Sequence, residues 1–155
     1  MTRHVVGIGQ TAVVTDPGDT IEMIGLGSCA GIFVIAPGKI AVAAHSLLAK
    51  PRQGEVGKEP GKYVETAVPF LLEQLHGVGV PKSRCKAWVV GGAQMFTFGG
   101  DSESAGIGER NTSLAAELLR KAGLRPDTSF VGGTNARRAS LDFESCEFVA
   151  STTGS

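Results

Sequence analysis

The sequence predicts an α+β fold, a layered sandwich of β-sheets with two covering helices, and three observations carry that prediction. Short apolar, β-branched runs broken by Gly, Pro and Asp recur along the chain, as strands and turns do. Two stretches alone show helical periodicity, so helices do not alternate with every strand. Glycine accounts for 22 of 155 residues and aromatics for 6%, a composition of turns and close backbone approaches rather than of a helical bundle.

Residues 5–14 and Thr20–Leu26 read as strands separated by the turn-prone Asp16-Pro17-Gly18-Asp19. Ala30–Ala36 and residues 39–45 flank Pro37-Gly38 and read as a hairpin. Pairing about that turn sets Ala30 opposite Ala44 or His45, with Cys29 just beyond. The register itself stays open, because a slip of one residue exchanges the faces. Residues 49–61 form a polar loop beside His45, long enough to rim a site. Residues 62–76 carry the helical stripe Tyr63, Ala67, Phe70, Leu71 and Leu75, stopped by Gly77. Pro69 removes one hydrogen bond of that helix and is expected to kink it.

A strand over 85–90 precedes Gly91-Gly92-Ala93-Gln94-Met95-Phe96, and residues 97–104 read as loop. Asn111 is placed as the N-cap of a helix over 112–122, whose apolar face is Leu114, Ala115, Leu118, Leu119 and Ala122, with Gly123 past its end. Strands over 128–131, 138–143 and 147–150 bring the count to eight or nine. The polar tail 151–155 is expected to fray.

Residues 1–155 have the length of one domain with one sizeable core, and no repeat or linker divides them. Fifteen Lys plus Arg balance fifteen Asp plus Glu, so no chain-wide field draws in nucleic acid or an anionic membrane. No run approaches the ~18 apolar residues of a membrane span, and the first residues lack the apolar stretch of a signal peptide. A cytoplasmic protein is expected. The odd set Cys29, Cys85 and Cys146, without C-x-x-C spacing, argues for reduced thiols over disulfides or a zinc site. Cys85 and Cys146 read as core residues.

The chemistry concentrates on Cys29 in Gly25-Leu26-Gly27-Ser28-Cys29-Ala30-Gly31 and on His45 sixteen residues later. An imidazole that keeps a thiol as thiolate can lower its pKa from ~8.5 to roughly 3.5–7.5 and make it a nucleophile. The flanking glycines admit a substrate carbonyl close to the backbone, which makes Gly27, Ser28 and Ala30 candidates for the oxyanion and substrate pocket. Core packing is the competing reading, since Cys is among the most buried residue types.

Gly25-Leu26-Gly27-Ser28-Cys29-Ala30 also matches G-x-G-x-x-G/A. A dinucleotide loop must open a helix, whereas this string runs into the strand-like Gly31-Ile32-Phe33-Val34-Ile35, and no acidic residue follows before Gly54. A papain-like protease requires its histidine far downstream. His4, near a chain end expected to be mobile, and His76, at a helix end, are poorly placed to pair with Cys29. Gly132-Gly133 reads as a turn rather than an anion site.

Gly25-Leu26-Gly27-Ser28-Cys29, Ala44-His45, Lys62-Tyr63-Val64-Glu65-Thr66-Ala67, Gly91-Gly92-Ala93 with Met95-Phe96, Ile107-Gly108-Glu109-Arg110-Asn111 and Gly132-Gly133 together resemble the CheD family, in order and spacing through nearly the whole chain. The resemblance implies a chemoreceptor glutamine deamidase with the layered fold shared with cytotoxic-necrotizing-factor toxins. It implies Cys29 as nucleophile and His45 as general base, with no cofactor and no metal. Its partners would be the cytoplasmic helices of chemoreceptors and, as in many members, a CheC-type phosphatase; a monomer without membrane insertion is expected.

The chain departs from the family in three places. Met23 stands where the family has a threonine completing its triad, Leu47 where it has Met, and Ala136 where it has glycine. A thioether cannot replace a hydroxyl as the partner of an imidazole, so Met23 is expected to orient His45 through its backbone carbonyl. Met23 also motivates a rival, an adaptor that binds receptors or the phosphatase without catalysis and whose Cys29 is unreactive. A redox-sensing thiol is a third reading and requires an exposed cysteine with a resolving partner.

Overall fold

The computed structural model describes residues 2–51, 59–94 and 106–153. The strands are β1 Arg3–Val5, β2 Thr11–Val14, β3 Thr20–Leu26, β4 Ala30–Ala36, β5 Ile40–Ser46, β6 Lys86–Gly91, β7 Pro126–Val131, β8 Arg137–Asp142 and β9 Phe148–Thr152; the helices are α1 Val64–His76 and α2 Ile107–Lys121. Five strands form one sheet in the order β2-β5-β4-β6-β7, and four form a second in the order β1-β3-β8-β9.

Strands β4 and β5 are buried at every position, which is why both read as nearly unbroken apolar runs rather than alternating ones. Side-chain alternation then divides the core in two. Ala30, Ile32 and Val34 of β4 with Val42 and Ala44 of β5 pack against Val64, Ala67, Leu71, Ala115 and Leu119 of the helices. Phe33, Ile35, Ala41 and Ala43 face Ile21, Met23, Leu26, Ala139 and Leu141 of the four-stranded sheet. Helices, five-stranded sheet and four-stranded sheet are therefore three layers around two apolar seams, the α+β sandwich with two covering helices that the pattern predicts.

Several local expectations change. The run 5–14 is two strands in different sheets, because Gly9 at φ 83 and a bond from Gln10 N–H to the Gly7 carbonyl (3.0 Å) turn the chain from one sheet to the other. In the β4–β5 hairpin Ala30 pairs with Ser46 and Gly31 with His45, where Ala44 or His45 was expected opposite Ala30. Lys39 belongs to the turn, where its N–H donates to the Ala36 carbonyl at 2.9 Å and Gly38 takes φ 75.

A 3₁₀ turn over Pro60–Lys62 leads into α1, which runs unbroken through Pro69. The carbonyl orphaned there is that of Glu65, an exposed residue, so water can satisfy it. The last strand extends through Ser151 and Thr152, paired to Arg138 and Arg137, where fraying was expected. Residues 52–58 of the expected loop over 49–61, the whole of the expected loop over 97–104, Met95-Phe96 and the tail residues 154–155 lie outside the described residues.

The largest difference concerns α2. It begins at Ile107, after Gly106 in the left-handed region at φ 85, so Asn111 lies in the helix rather than at its cap. Its side chain is engaged across the fold, as described below.

Candidate active site

Three crossovers between the sheets meet at one end of the sandwich. Residues 27–29 carry the chain from β3 to β4, residues 6–10 from β1 to β2, and residues 132–136 from β7 to β8. Cys29 lies on the first of these, and His45 lies at the end of β5 beside the start of β4.

The turn 27–29 is held by its carbonyls. Ala93 N–H donates to Gly27 at 2.9 Å, the Asn111 side-chain amide to Ser28 at 2.9 Å, and Gly92 N–H to Cys29 at 2.9 Å. Ala30 follows as the first residue of β4, between Ser46 and Gly91. Gly91 must be glycine on two counts: its φ is 103, and a Cβ there would overlap the Cys29 carbonyl oxygen.

His45 is fastened by the crossover 6–10. Its N–H donates to the Gln10 carbonyl at 3.1 Å, its carbonyl accepts from Gly9 N–H at 2.7 Å, and Nδ1 lies 3.0 Å from the Val6 carbonyl. A carbonyl can accept and never donate, so Nδ1 carries the proton and Nε2 keeps its lone pair. Nε2 is buried and has no hydrogen-bond partner among the described residues. A buried polar atom without a partner costs stability, and such exceptions gather at functional sites.

The orienting carbonyl is thus that of Val6, and the expectation for Met23 is corrected. Met23 pairs through its backbone with Ala139 and buries its side chain completely between the sheets. Its sulfur would stand 3.0 Å from a Cβ placed on Gly31, the residue paired with His45. The period of the strand turns Met23 inward, so what it offers the site is a packed thioether.

Cys29 and His45 share the seam between the sheets. Cys29 belongs to the buried cluster that includes Met23, Leu26 and Val90, and alternation along β5 turns His45 to the same side as Ala43 and Ala41 of that cluster. Neither is open to solvent: Cys29 is 5% exposed and His45 1%. Burial pushes the Cys29 thiol up, outweighing its own backbone N–H, and pushes the His45 imidazole down, outweighing the Val6 carbonyl. Both shifts favour the uncharged forms of thiol and imidazole. Burial also fits poorly with the exposed thiol of a redox sensor; all three cysteines are free.

Beside the turn 27–29 lies a cavity of about 580 Å³ whose described lining includes Ser28, Gly92, Gln94, Glu109, Thr112 and Gly133. Gly132 and Gly133, at φ 85 and 74, form the expected turn. His4 stands apart, ordered in β1 against Asp19 at 3.0 Å. Among the described residues no helix is long and apolar enough to cross a membrane, and no group of three or more His, Cys, Asp or Glu could hold a metal ion.

Val6 could not be found from the sequence, because a backbone carbonyl leaves no signature. Asn111 could have been: a polar residue among the apolar periodicity of a helix calls for a buried partner.

A family model described as CheD chemotactic sensory transduction matches residues 47–152. Full-length similarity extends over Cys29 and His45 as well. A chemoreceptor glutamine deamidase CheD of Thermotoga maritima is 34% identical over 153 residues, 98% of this chain and 93% of that protein. The protein of the same name from Halalkalibacterium halodurans is 36% identical over 134 residues, 85% of this chain and 82% of its own. A probable chemoreceptor glutamine deamidase CheD of Pyrococcus abyssi is 40% identical over 145 residues, covering 92% and 87%.

Proposed function

The chain belongs to the CheD family, and from that membership we propose that it deamidates glutamine side chains of chemoreceptors, with Cys29 as nucleophile and His45 as its general base. The observation that carries these roles is the His45 imidazole. Val6 fixes its tautomer, and the buried imidazole, whose Nε2 has no partner among the described residues, is turned by strand alternation toward the seam that also holds Cys29.

In the first step Cys29 Sγ attacks the carboxamide carbon as its proton passes to Nε2, so charge appears as the C–S bond forms. The oxyanion is met by backbone N–H groups around Ser28 to Ala30. Because the carbonyls of Gly27, Ser28 and Cys29 are all engaged elsewhere, none needs to turn a lone pair toward that charge. Nε2 returns its proton to the leaving nitrogen and ammonia departs, leaving a thioester. Water then attacks the thioester, giving its proton to Nε2, and the glutamate and the thiol are released. The product adds one negative charge to a receptor helix, enough to bias a signalling equilibrium between states of similar energy. A CheC-type phosphatase is the further partner that the resemblance implies.

The test is mass spectrometry of a receptor cytoplasmic fragment after incubation with the protein, together with an ammonia assay. Amide-to-acid conversion at defined glutamines with matching ammonia is expected. A fragment that binds the protein yet keeps every amide would return the chain to the adaptor reading.

The pH dependence has a definite sign. The base works when neutral, and burial sets its pKa below the ordinary 6.5, so activity persists as the pH falls past that value and is lost only through the lowered pKa. The acid limb of kcat/KM is therefore expected below 6.5. A midpoint above 6.5 would mean that His45 is stabilised as imidazolium, and the neutral-pair mechanism would fall.

A further inference from the structure

We infer that Asn111 is a positioning residue of the active site, a clamp that fixes the distance between the nucleophile turn and the strand carrying the base. The inference rests on the roles just proposed for Cys29 and His45. Asn111 is 1% exposed, and its amide nitrogen lies 2.9 Å from the Ser28 carbonyl and 2.9 Å from the Leu47 carbonyl. Ser28 immediately precedes Cys29, and Leu47 follows His45 by two residues. One planar group thus ties together the two chain segments that must cooperate, from a helix that supplies neither reacting group.

The chemistry selects asparagine. Both neighbours are carbonyl oxygens, so the position needs two donors from one atom at fixed angles, which a primary amide supplies and a hydroxyl or carboxylate does not. The helix seats it firmly. Thr112 Oγ1 donates to the Gly108 carbonyl at 3.1 Å, and a Cβ on Gly92 would stand 2.7 Å from that carbonyl, so this end of α2 presses directly on the backbone beside the nucleophile turn. Of the other fastenings, Gly92 and Ala93 hold the turn, Val6, Gly9 and Gln10 hold the imidazole and its backbone, and the β4–β5 ladder joins the two strands from Ala30 and Ser46 onward, beyond the turn that carries Cys29. Asn111 is the described side chain that bonds both to that turn and to the segment following His45.

A misplacement of about 1 Å between reacting groups costs roughly 100-fold in rate. The experiment compares Asn111→Asp and Asn111→Ala with the parent protein on a receptor cytoplasmic fragment, at a temperature where circular dichroism shows each variant folded, with Cys29→Ala alongside. Asn111→Asp keeps volume and shape but cannot present two N–H donors, so it loses the clamp without opening a cavity. The expected result is a kcat about 100-fold lower with KM within about twofold, because substrate binding is untouched and the reacting geometry is not. Wild-type kcat in a folded variant overturns the inference. So does parallel loss of kcat and KM, or failure of both variants to fold, either of which makes Asn111 an ordinary structural residue. Should Cys29→Ala remain active, the assignment of the nucleophile falls and the clamp falls with it; inactive Cys29→Ala with unimpaired Asn111 variants removes the clamp alone.

Discussion

Cys29→Ala is expected to abolish ammonia release from receptor fragments, a loss on the order of 10⁴- to 10⁶-fold in kcat, as when the attacking atom of a hydrolase is removed. The substitution deletes one sulfur from a site that is 5% exposed, and so costs at most about 1–2 kcal/mol of folding free energy. The variant should therefore fold, bind receptor fragment as the parent does, and fail at chemistry. Binding measured by titration calorimetry beside turnover separates the two functions. If the parent binds and does not turn over, the adaptor suggested by Met23 is the better reading. If Cys29→Ala turns over at the parent rate, the nucleophile lies elsewhere.

The second large effect is expected from Gly91→Ala, where fold and site depend on one hydrogen atom. A Cβ at φ 103 is strained in itself, and at this position it would also overlap the Cys29 carbonyl oxygen. That oxygen is backbone, already accepting from Gly92 N–H, so no rotamer change relieves the contact. Strain of about 1–3 kcal/mol adds to overpacking of similar size, and together they lower the melting temperature by roughly 5–15 °C. Gly38→Ala is the control, for Gly38 also has a positive φ of 75 but nothing within 4 Å of a Cβ. It should pay the strain alone. Equal melting temperatures for the two variants would show that the contact with the turn 27–29 carries no weight.

Much of this architecture is legible in the chain because it is written in local periodicity. Ile32, Phe33, Val34 and Ile35 announce a strand covered on both faces, and Ala67, Leu71 and Leu75 announce a helix with one buried side. Register was less legible: Ala44 or His45 was expected opposite Ala30, and Ser46 stands there because Lys39 closes the hairpin turn instead of extending the strand. Asn111 was misplaced for a related reason. As a residue type it favours caps, and its propensity gave way to two carbonyl partners more than sixty residues distant in the chain.

The order of residues alone determined the layered class, the strand and helix inventory, and Cys29 and His45 as the pair to examine, because side-chain chemistry and apolar period are local properties. The folded chain alone decided that the Val6 carbonyl, and not that of Met23, holds the imidazole, that burial shifts thiol and base toward their uncharged forms, and that Asn111 spans the two segments. Those outcomes depend on backbone atoms common to every residue and on distances between crossovers far apart in sequence. Packing two sheets and two helices against one another is what sets them.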